Sequence, residues 1–568
     1  MRYRVREKTP ESVRAALKEH PELVADLLHA RGIEEPGAAA EFLAPDFINH
    51  SHDPFLLLDM DSAVERVLRA ARGKEKVAVW SDYDCDGIPG GVMLTQFLRE
   101  IGCAVTHYIP HRHEEGYGLN EEGIAELAEG GVTLMLTVDL GTTDREPIAF
   151  AREKGVDVIV TDHHLVSGEL PDALVLNPKR GNYPFPHLCG SGVAWKLVQA
   201  ILSKNRPEGS VEGQYFPYPE GREKWLLDLV GLATLSDRVP LIGENRMLAH
   251  FGLEVLRRAR RPGLASLMKL LRIAPRTLTE DDVGFMLAPR INAASRMDTP
   301  STAAELLCAE TAEEGARLAL ELNQVNDARK GVVASTVKEV RKRLAERPLE
   351  AQKSIIVMGN PSWRPGVLGL VASSLSESEN VPVCLWGREG GEVVRGSCRS
   401  PGGVNVVSLM EDMKDLFEDF GGHAFSGGFS LEERRVHELS ARFATAYEKL
   451  RAKQEEWEVV IDRELPIEEA GSQSLRNVRR LAPFGEGNDK PLFVFPGASI
   501  TGVRTFGKEN SHLELKLSGG EARLSGIAFF SGTDSFEKVP QAGARADIVG
   551  HLEADWGGRP RIRIVDIL

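Results

Sequence analysis

The chain has 568 residues, 42% hydrophobic and 27% charged, so it can bury several cores and is too long for one ordinary domain. Its net charge of −15 neither requires nor excludes a polyanionic substrate, because a set of metal-binding carboxylates would add to that total and distribution matters more than the sum. Six scattered cysteines (Cys85, Cys103, Cys189, Cys308, Cys384, Cys398) with no C-x-x-C pair, an opening MRYRVREK without an apolar signal region and no apolar run of membrane-spanning length exclude zinc ribbons and disulfide scaffolds, and predict a cytoplasmic protein with no membrane contact.

Residues 1–60 read as short helices and loops broken by Pro and Gly, an N-terminal cap. From about residue 73 strands and helices alternate: KVAVW, the helix GVMLTQFLREIG, a strand near CAVTHYI, the helix EEGIAELAEG, then TLMLTV, REPIAFAREKG, VDVIVT and ALVLN. That rhythm predicts a doubly wound parallel sheet within residues 61–310, followed by helices at SGVAWKLVQAILSK and EKWLLDLVGLATL. Seven basic residues without an acidic one lie between Arg257 and Arg276, either a polyanion-binding stripe or a solvated helix face. Residues 311–348 form one long stretch of good helix formers, a rigid connector. Residues 349–455 supply a second, smaller α/β unit with strands at SIIVM, VPVCLW and EVVRGS. From 456 to 568 the strands are short and the turns frequent, among them LFVFPG and ASITGVRTF as separate strands, which predicts a small barrel of OB-like type.

Polar clusters sit just past the apolar runs of the first unit: Asp82, Asp84 and Asp86 after KVAVW, Asp139 after TLMLTV, Asp162, His163 and His164 after VDVIVT, and Asp237 in GLATLSDRVP. Residues beyond the carboxyl ends of parallel strands converge on one crevice. Three carboxylates in D-Y-D-C-D-G repel one another unless cations neutralise them, and no Glu stands where an EF-hand calcium loop needs one. Asp139 alone also reads as a helix cap. The set as a whole predicts divalent metal, two ions, and hydrolysis of a phosphate ester. The second unit offers anion contacts. Gly421, Gly422 and His423 in GGHAFSGG read either as flexible backbone presenting N–H groups to phosphate or, more commonly for such a sequence, as a plain tight turn. Ser397 and Arg399 share one side of an extended chain, with Arg399 on a phosphate or in a structural ion pair. Arg112, Arg290 and Arg296 are further phosphate candidates, and Tyr117 either stacks on a base or packs under a loop.

These motifs, together with YIPHRHEEGYGLN, LNPKR, LCGSGVAWKL, APRINAASRMDTP, SWRPGVLGLVAS and LAPFGEGN, resemble the DHH phosphoesterase superfamily, and within it the bacterial 5′-to-3′ single-strand-specific DNA exonucleases, over nearly the whole chain. The resemblance implies a two-lobed α/β fold, a parallel-sheet DHH domain plus a smaller DHH-associated α/β domain, with a C-terminal OB-like barrel. It implies Mn2+ or Mg2+ held by Asp82, Asp84, Asp86, Asp139, His163 and Asp237, with Asp139, His163 and His164 as catalytic residues and Asp162 orienting a histidine. Arg112, Arg290, Ser397 and Arg399 would read the 5′-phosphate or adjacent backbone, Tyr117 would stack near the first nucleotides, and Arg504, Lys508, His512 and Lys516 would hold the emerging strand. Single-stranded DNA is the implied partner, with a helicase and a single-strand-binding protein as further partners and a monomer as the working form. The alternatives are an oligonucleotide or cyclic-dinucleotide phosphodiesterase of the same superfamily, typically shorter and without the barrel, and a catalytically silent replication scaffold. The sequence departs from the family pattern at Pro89-Gly90, Leu140, Arg364 and Ser295, none of them a predicted ligand.

Overall fold

A computed structural model of the chain describes residues 2–112, 115–166, 168–205, 216–297, 299–346, 355–388, 393–451, 458–507, 510–536, 538–555 and 557–568. The first strand, β1 (Arg2–Val5), belongs to the C-terminal body taken up below. The first lobe is built on β2 (Lys76–Ser81), β3 (Ala104–Tyr108), β4 (Val132–Val138), β5 (Asp157–Thr161) and β6 (Leu174–Leu176), all parallel in the order β3-β2-β4-β5-β6. Alternate residues of these strands enter different cores, Val77 and Val79 on one face and Ala78 and Trp80 on the other, which is why the runs are continuously apolar. The chain leaves β2 to one side for β3 and comes back on the other side for β4. The crevice that this reversal opens lies at the carboxyl ends of β2 and β4.

The second lobe is a mixed sheet of β7 (Ile356–Gly359), β8 (Val383–Gly387), β9 (Val393–Arg399), β10 (Asp419–His423) and β11 (Ser426–Glu432), in the order β10-β11-β9-β8-β7. The glycine-rich segment is a tight hairpin turn rather than a flexible loop, the commoner of the two readings. Gly421 and Gly422 pair with Gly428 and Gly427 across a hairpin, and a Cβ on Gly422 would lie 2.3 Å from the Ser426 carbonyl, so close strand approach excludes a side chain at Gly422, whereas a Cβ on Gly421 would meet nothing within 4 Å. One 34-residue helix, Ala312–Ala345, about 51 Å long at ~1.5 Å per residue, joins the lobes. Thr311 caps it by accepting the Glu314 N–H at 3.2 Å. Leu318, Ala319 and Leu322 at its start are packed in the first lobe, and Val340 and Leu344 near its end in the second.

The third body consists of β12 (Glu458–Ile461), β13 (Arg463–Glu464), β14 (Phe493–Phe506), β15 (His512–Gly519), β16 (Ala522–Ala528), β17 (Arg545–Ala554) and β18 (Pro560–Ile567). Pairing of β14 with β17 closes a five-stranded OB-like barrel of β14, β15, β16, β18 and β17. The two strands expected at LFVFPG and ASITGVRTF are one bent strand. Pro496-Gly497 is a bulge rather than a turn, and a second register shift lies between Ile500 and Gly502. The N-terminal helices pack on this barrel: Leu17, Leu27 and Leu28 share a core with Phe493, Phe495 and Ile548, and β1 pairs parallel with β12. Arg246 of the first lobe fastens the barrel body in place, donating to the Phe42 carbonyl at 2.7 Å and the Ala482 carbonyl at 3.0 Å while stacking on the Phe42 ring. No helix among the described residues is long and apolar enough to cross a membrane.

Candidate metal centre

The first-lobe clusters are aligned by the sheet itself. Asp82 N–H donates to the Val138 carbonyl at 3.1 Å, Asp139 N–H to Thr161 at 2.9 Å and Asp162 N–H to Leu176 at 3.1 Å, so each acidic residue extends the parallel ladder one step past its strand. Asp139 is not a helix cap. It has φ +64°, a left-handed backbone that few non-glycine residues adopt, and it turns its carboxylate into the crevice. Asp237 arrives from the other side, at the end of the helix Leu227–Ser236. The helix Gly190–Lys204 begins so close that a Cβ on Gly190 would stand 2.5 Å from Asp139 Cβ, and its first N–H groups, Gly190 and Ser191, hold Asp86 at 2.6 and 2.8 Å.

Three overlapping triads result: Asp82, Asp84 and Asp139; Asp86, His163 and Asp237; and Asp139, His163 and His164. His163 Nε2 lies 3.1 Å from Asp139, 3.7 Å from Asp237 and 3.9 Å from Asp86. Burial and the charge of Asp84 push Asp86 up to about 6, and burial with Asp86 pushes Asp237 to about 7. Asp82 and Asp139 are raised well above the usual carboxylate range by burial and by their acidic neighbours. Burial, then the charge of His164, drives His163 down to about 3, so its ring is neutral and able to ligate. Among the described residues Asp82 Oδ1, Asp139 Oδ1 and Asp237 Oδ2 are buried and accept no hydrogen bond. Buried carboxylate oxygens in that state are expensive unless a cation takes them up, and oxygen donors with one imidazole are a set suited to Mn2+ or Mg2+. The residues fit the metals.

Asp162 is oriented differently from the other acids. It accepts from the N–H groups of Thr142 (2.9 Å), His163 (2.7 Å) and His164 (3.1 Å) and bonds His164 Nδ1 at 2.8 Å. Burial alone would raise it, but these partners carry it below the usual range. In return, against burial, Asp162 holds His164 up at about 9. Tyr117 is 55% exposed at the mouth, its hydroxyl 3.3 Å from the Asp139 carbonyl and 3.5 Å from His164 Nδ1.

Arg112 stacks on Tyr83 at 4.7 Å and lies close enough to Arg296 that burial, Arg112 and Arg329 together lower Arg296 to about 9. Arg399, from the second lobe, adds to the same positive field. Ser397 stands beside it, and Gly369 makes room for the guanidinium, since a Cβ there would meet Arg399 Nη2 at 2.5 Å. His423 faces His164 and Lys179 across the interlobe cleft. Gly421 and Gly422 stand on the same hairpin as His423. Arg290 is engaged elsewhere, donating to the Met286 carbonyl at 2.9 Å and reaching Asn323 at 3.3 Å, so its guanidinium is partly committed to structure. Of the barrel candidates, Arg504 is ion-paired with Glu514 at 2.6 Å, and Lys508 lies outside the described residues. Much of the basic run is structural as well: Arg261 bonds Asp228 at 2.7 Å, Arg257 the Leu278 carbonyl at 2.9 Å, and Arg260 covers Trp225.

Sequence reasoning missed Lys179, which bonds the His163 carbonyl, and Asn177, which donates to the His164 carbonyl at 2.9 Å. It also missed Asn292, which accepts the Cys85 N–H at 2.9 Å and steadies the loop of three aspartates. All three stand in segments noted above, LNPKR and APRINAASR, which were given no such role.

Comparison with known proteins agrees with this layout. The DHH family N-terminal domain matches residues 76–234, the DHHA1 domain residues 352–449 and the RecJ OB domain residues 461–565. The single-stranded-DNA-specific exonuclease RecJ of Bacillus subtilis is 33% identical over 96% of this chain and 67% of its own length. That of Escherichia coli is 32% identical over 83% of this chain and 84% of its own. The crystal structure of RecJ in complex with Mn2+ from Thermus thermophilus superposes with a TM-score of 0.82 at 29% identity, over 100% of this chain and 79% of that one.

Proposed function

The chain belongs to the RecJ family of DHH phosphoesterases, and from that premise we propose that it removes nucleotides one at a time from the 5′ end of single-stranded DNA by two-metal hydrolysis, in DNA repair and recombination. The observation that carries the reading is the convergence of three ligand triads, with unpartnered buried oxygens on Asp82, Asp139 and Asp237, at the switch point of a parallel sheet. Asp82, Asp84, Asp86, Asp139, His163 and Asp237 would hold two divalent ions, Mn2+ or Mg2+. Bound there, the ions supply Lewis-acid activation of water and of the scissile phosphate.

The protein's own groups do the rest. His164, fixed by Asp162 and open to the cleft, is placed to give a proton to the departing oxygen. Arg112, Arg296, Arg399 and Ser397 face the ligand set with charge and hydroxyl suited to a 5′-phosphate, with Arg290 a more distant contributor and Gly421, Gly422 and His423 closing the second-lobe side. Tyr117 offers its exposed ring to the first base. A narrow channel between the two lobes would admit a single strand and exclude a duplex, and the barrel favours a long strand over a dinucleotide. We take a monomer as the working form. The functional division we propose places the cap at 1–60, the catalytic domain at 61–310, the connector at 311–348, the second lobe at 349–455 and the strand-binding barrel at 456–568. A cytoplasmic enzyme of this kind is served by a helicase and a single-strand-binding protein that expose its substrate.

The test is end-labelling. With Mn2+ present, a 5′-labelled single strand releases its label at once as mononucleotide, while a 3′-labelled strand shortens before its label is freed. Immediate release from the 3′-labelled strand, or binding without cleavage, would overturn the proposal.

A further inference from the structure

Asp237 is held differently from the other ligands of the metal centre. Asp86 is gripped by two backbone N–H groups, and Asp82 and Asp139 continue the ladder of the sheet. Asp237 has neither support. Among the described residues its carboxylate accepts one hydrogen bond, at 2.9 Å from the N–H of Arg238 next to it, and its Oδ2 is buried with no donor. A ligand with so little of its own to hold it stands wherever its backbone puts it. That backbone is the short segment between the helices Leu227–Ser236 and Gly243–Leu256.

The far side of this segment rests on another body. Leu241 N–H donates at 2.7 Å to the carbonyl of Glu486, in the LAPFGEGN motif of the barrel body. A Cβ on Gly485 would stand 2.7 Å from Leu241 Cδ1, and one on Gly487, which has φ +70°, 2.9 Å from Pro240 Cβ. The two glycines therefore let the loop lie directly against the Asp237 segment. The loop is itself braced. Gly485 and Asn488 exchange N–H···O=C bonds at 3.0 Å, and the buried Asn488 side chain donates to the Leu481 and Pro483 carbonyls at 2.9 and 2.8 Å. Arg31, just past the helix Glu22–His29, donates to Asn488 Oδ1 at 2.6 Å. On the first-lobe side Asn245 completes the grip, donating to the Pro240 carbonyl at 3.1 Å.

We propose that the LAPFGEGN loop is a positioning element of the metal centre: by bearing on Pro240 and Leu241 it sets Asp237 where an ion shared with Asp86 and His163 requires it. The proposal rests on the reading of the site as a two-ion centre, and it makes one of those ions depend on the barrel body. Asp237 belongs to the triad with Asp86 and His163, whereas Asp82, Asp84 and Asp139 form another without it. A shift of the segment therefore weakens one ion and spares the other. Metal–ligand distances tolerate only ~0.2 Å. A methyl group on Gly487 must move Pro240 by about 0.6 Å, from 2.9 Å out to the ~3.5 Å at which carbon atoms rest.

Glycine substitutions separate this role from plain support of the fold. The full-length wild type, Gly487→Ala, Gly485→Ala and Gly497→Ala are titrated with Mn2+ by calorimetry and assayed on a long 5′-labelled single strand. Gly497 has φ +56° and open space where a Cβ would stand, so alanine there strains the barrel without touching the first lobe. Gly487→Ala and Gly485→Ala are expected to bind one ion about tenfold more weakly and the other as before, the lower end of the loss seen when a ligand's orienting group is removed. Turnover falls with the weakened ion, while KM for the strand holds. Gly497→Ala, with its thermal midpoint lowered to a similar degree, binds both ions as the wild type does. Should Gly487→Ala fail to fold, Gly485→Ala, free of the left-handed backbone, decides the matter. Wild-type Mn2+ binding in the loop variants overturns the proposal. So does an equal weakening in Gly497→Ala, or an equal loss of both ions. If the wild type binds a single ion, the two-ion reading fails and the loop is judged on that ion: weaker binding in Gly487→Ala than in Gly497→Ala upholds it, and equal binding refutes it.

Discussion

Asp139 concentrates the argument at the residue scale. It has a left-handed backbone, and its place in two of the three triads and its unpartnered buried oxygen give its carboxylate a charge cost that bound cations relieve. Asp139→Asn is expected to lower cleavage at least ~1,000-fold while circular dichroism and thermal midpoint stay at or above wild type, since a buried repulsive charge is gone. Asp162→Asn should lose about 10- to 100-fold in turnover, the usual size of losing a group that orients a ligand. The same charges set how the metal-free protein responds to pH. Asp86 at about 6 and Asp237 at about 7 lie above the ~3.9 of an unfolded aspartate, so the native state keeps protons that the unfolded chain has released. Their contribution is complete at about pH 4 and is lost as pH rises to about 7. His163, lowered to about 3, works the opposite way below ~6.5, as do His107 and His551, each lowered to about 4 mainly by burial, against the four raised carboxylates Asp82, Asp86, Asp139 and Asp237. The unfolding midpoint without metal should therefore fall between pH 4 and 7, and Mn2+ should restore it at neutral pH; a midpoint that rises steadily through that window without metal would contradict the site's electrostatics. The acidic ligands were legible because a polar residue just past an apolar strand is a local signal. Lys179, Asn177 and Asn292 were not, since their value lies in contacts from other segments, and Asn292 reaches Cys85 from 207 positions away.

Secondary-structure elements were read well where periodicity is strong and poorly where glycine carries the meaning. The alternating strands of the first lobe follow their apolar runs. Gly421-Gly422 and Pro496-Gly497 both look like loop or turn signals. The first is the tight turn of a hairpin whose partner strand follows at once, and the second is a bulge in one long strand, because a partner strand about 50 residues away, which local sequence does not reveal, supplies the hydrogen bonds. Close approach makes a prediction for Gly190: a methyl group there meets Asp139 Cβ at 2.5 Å, so Gly190→Ala should destabilise by about 1–3 kcal/mol and weaken Mn2+ binding, read by thermal melting with and without metal. The connecting helix can be tested at Gly331, where a Cβ meets nothing within 4 Å. Gly331→Ala should stabilise by about 0.5–1 kcal/mol with activity unchanged. Gly331→Pro, which breaks a helix interior at a cost of ~3 kcal/mol or more, should keep the lobes folded but lose cleavage because it tilts one against the other.

Over the whole molecule, three bodies share the work through few joints. The first lobe holds the ligands, the second brings Arg399 and His423 to face them, and the barrel is held by the N-terminal helices and Arg246. Docking of the N-terminal helices on a barrel more than 400 residues later leaves no trace in local patterning, because both partners present ordinary amphipathic faces. The central claim, that strand-end carboxylates and one neutral histidine gather two cations for hydrolysis, is tested most directly by calorimetric titration of the full-length protein with Mn2+ at neutral pH. Two ions per wild-type chain are predicted, with fewer in Asp139→Asn and cleavage lost alongside them. One ion or none in the wild type, or unchanged binding and cleavage in Asp139→Asn, would contradict the account.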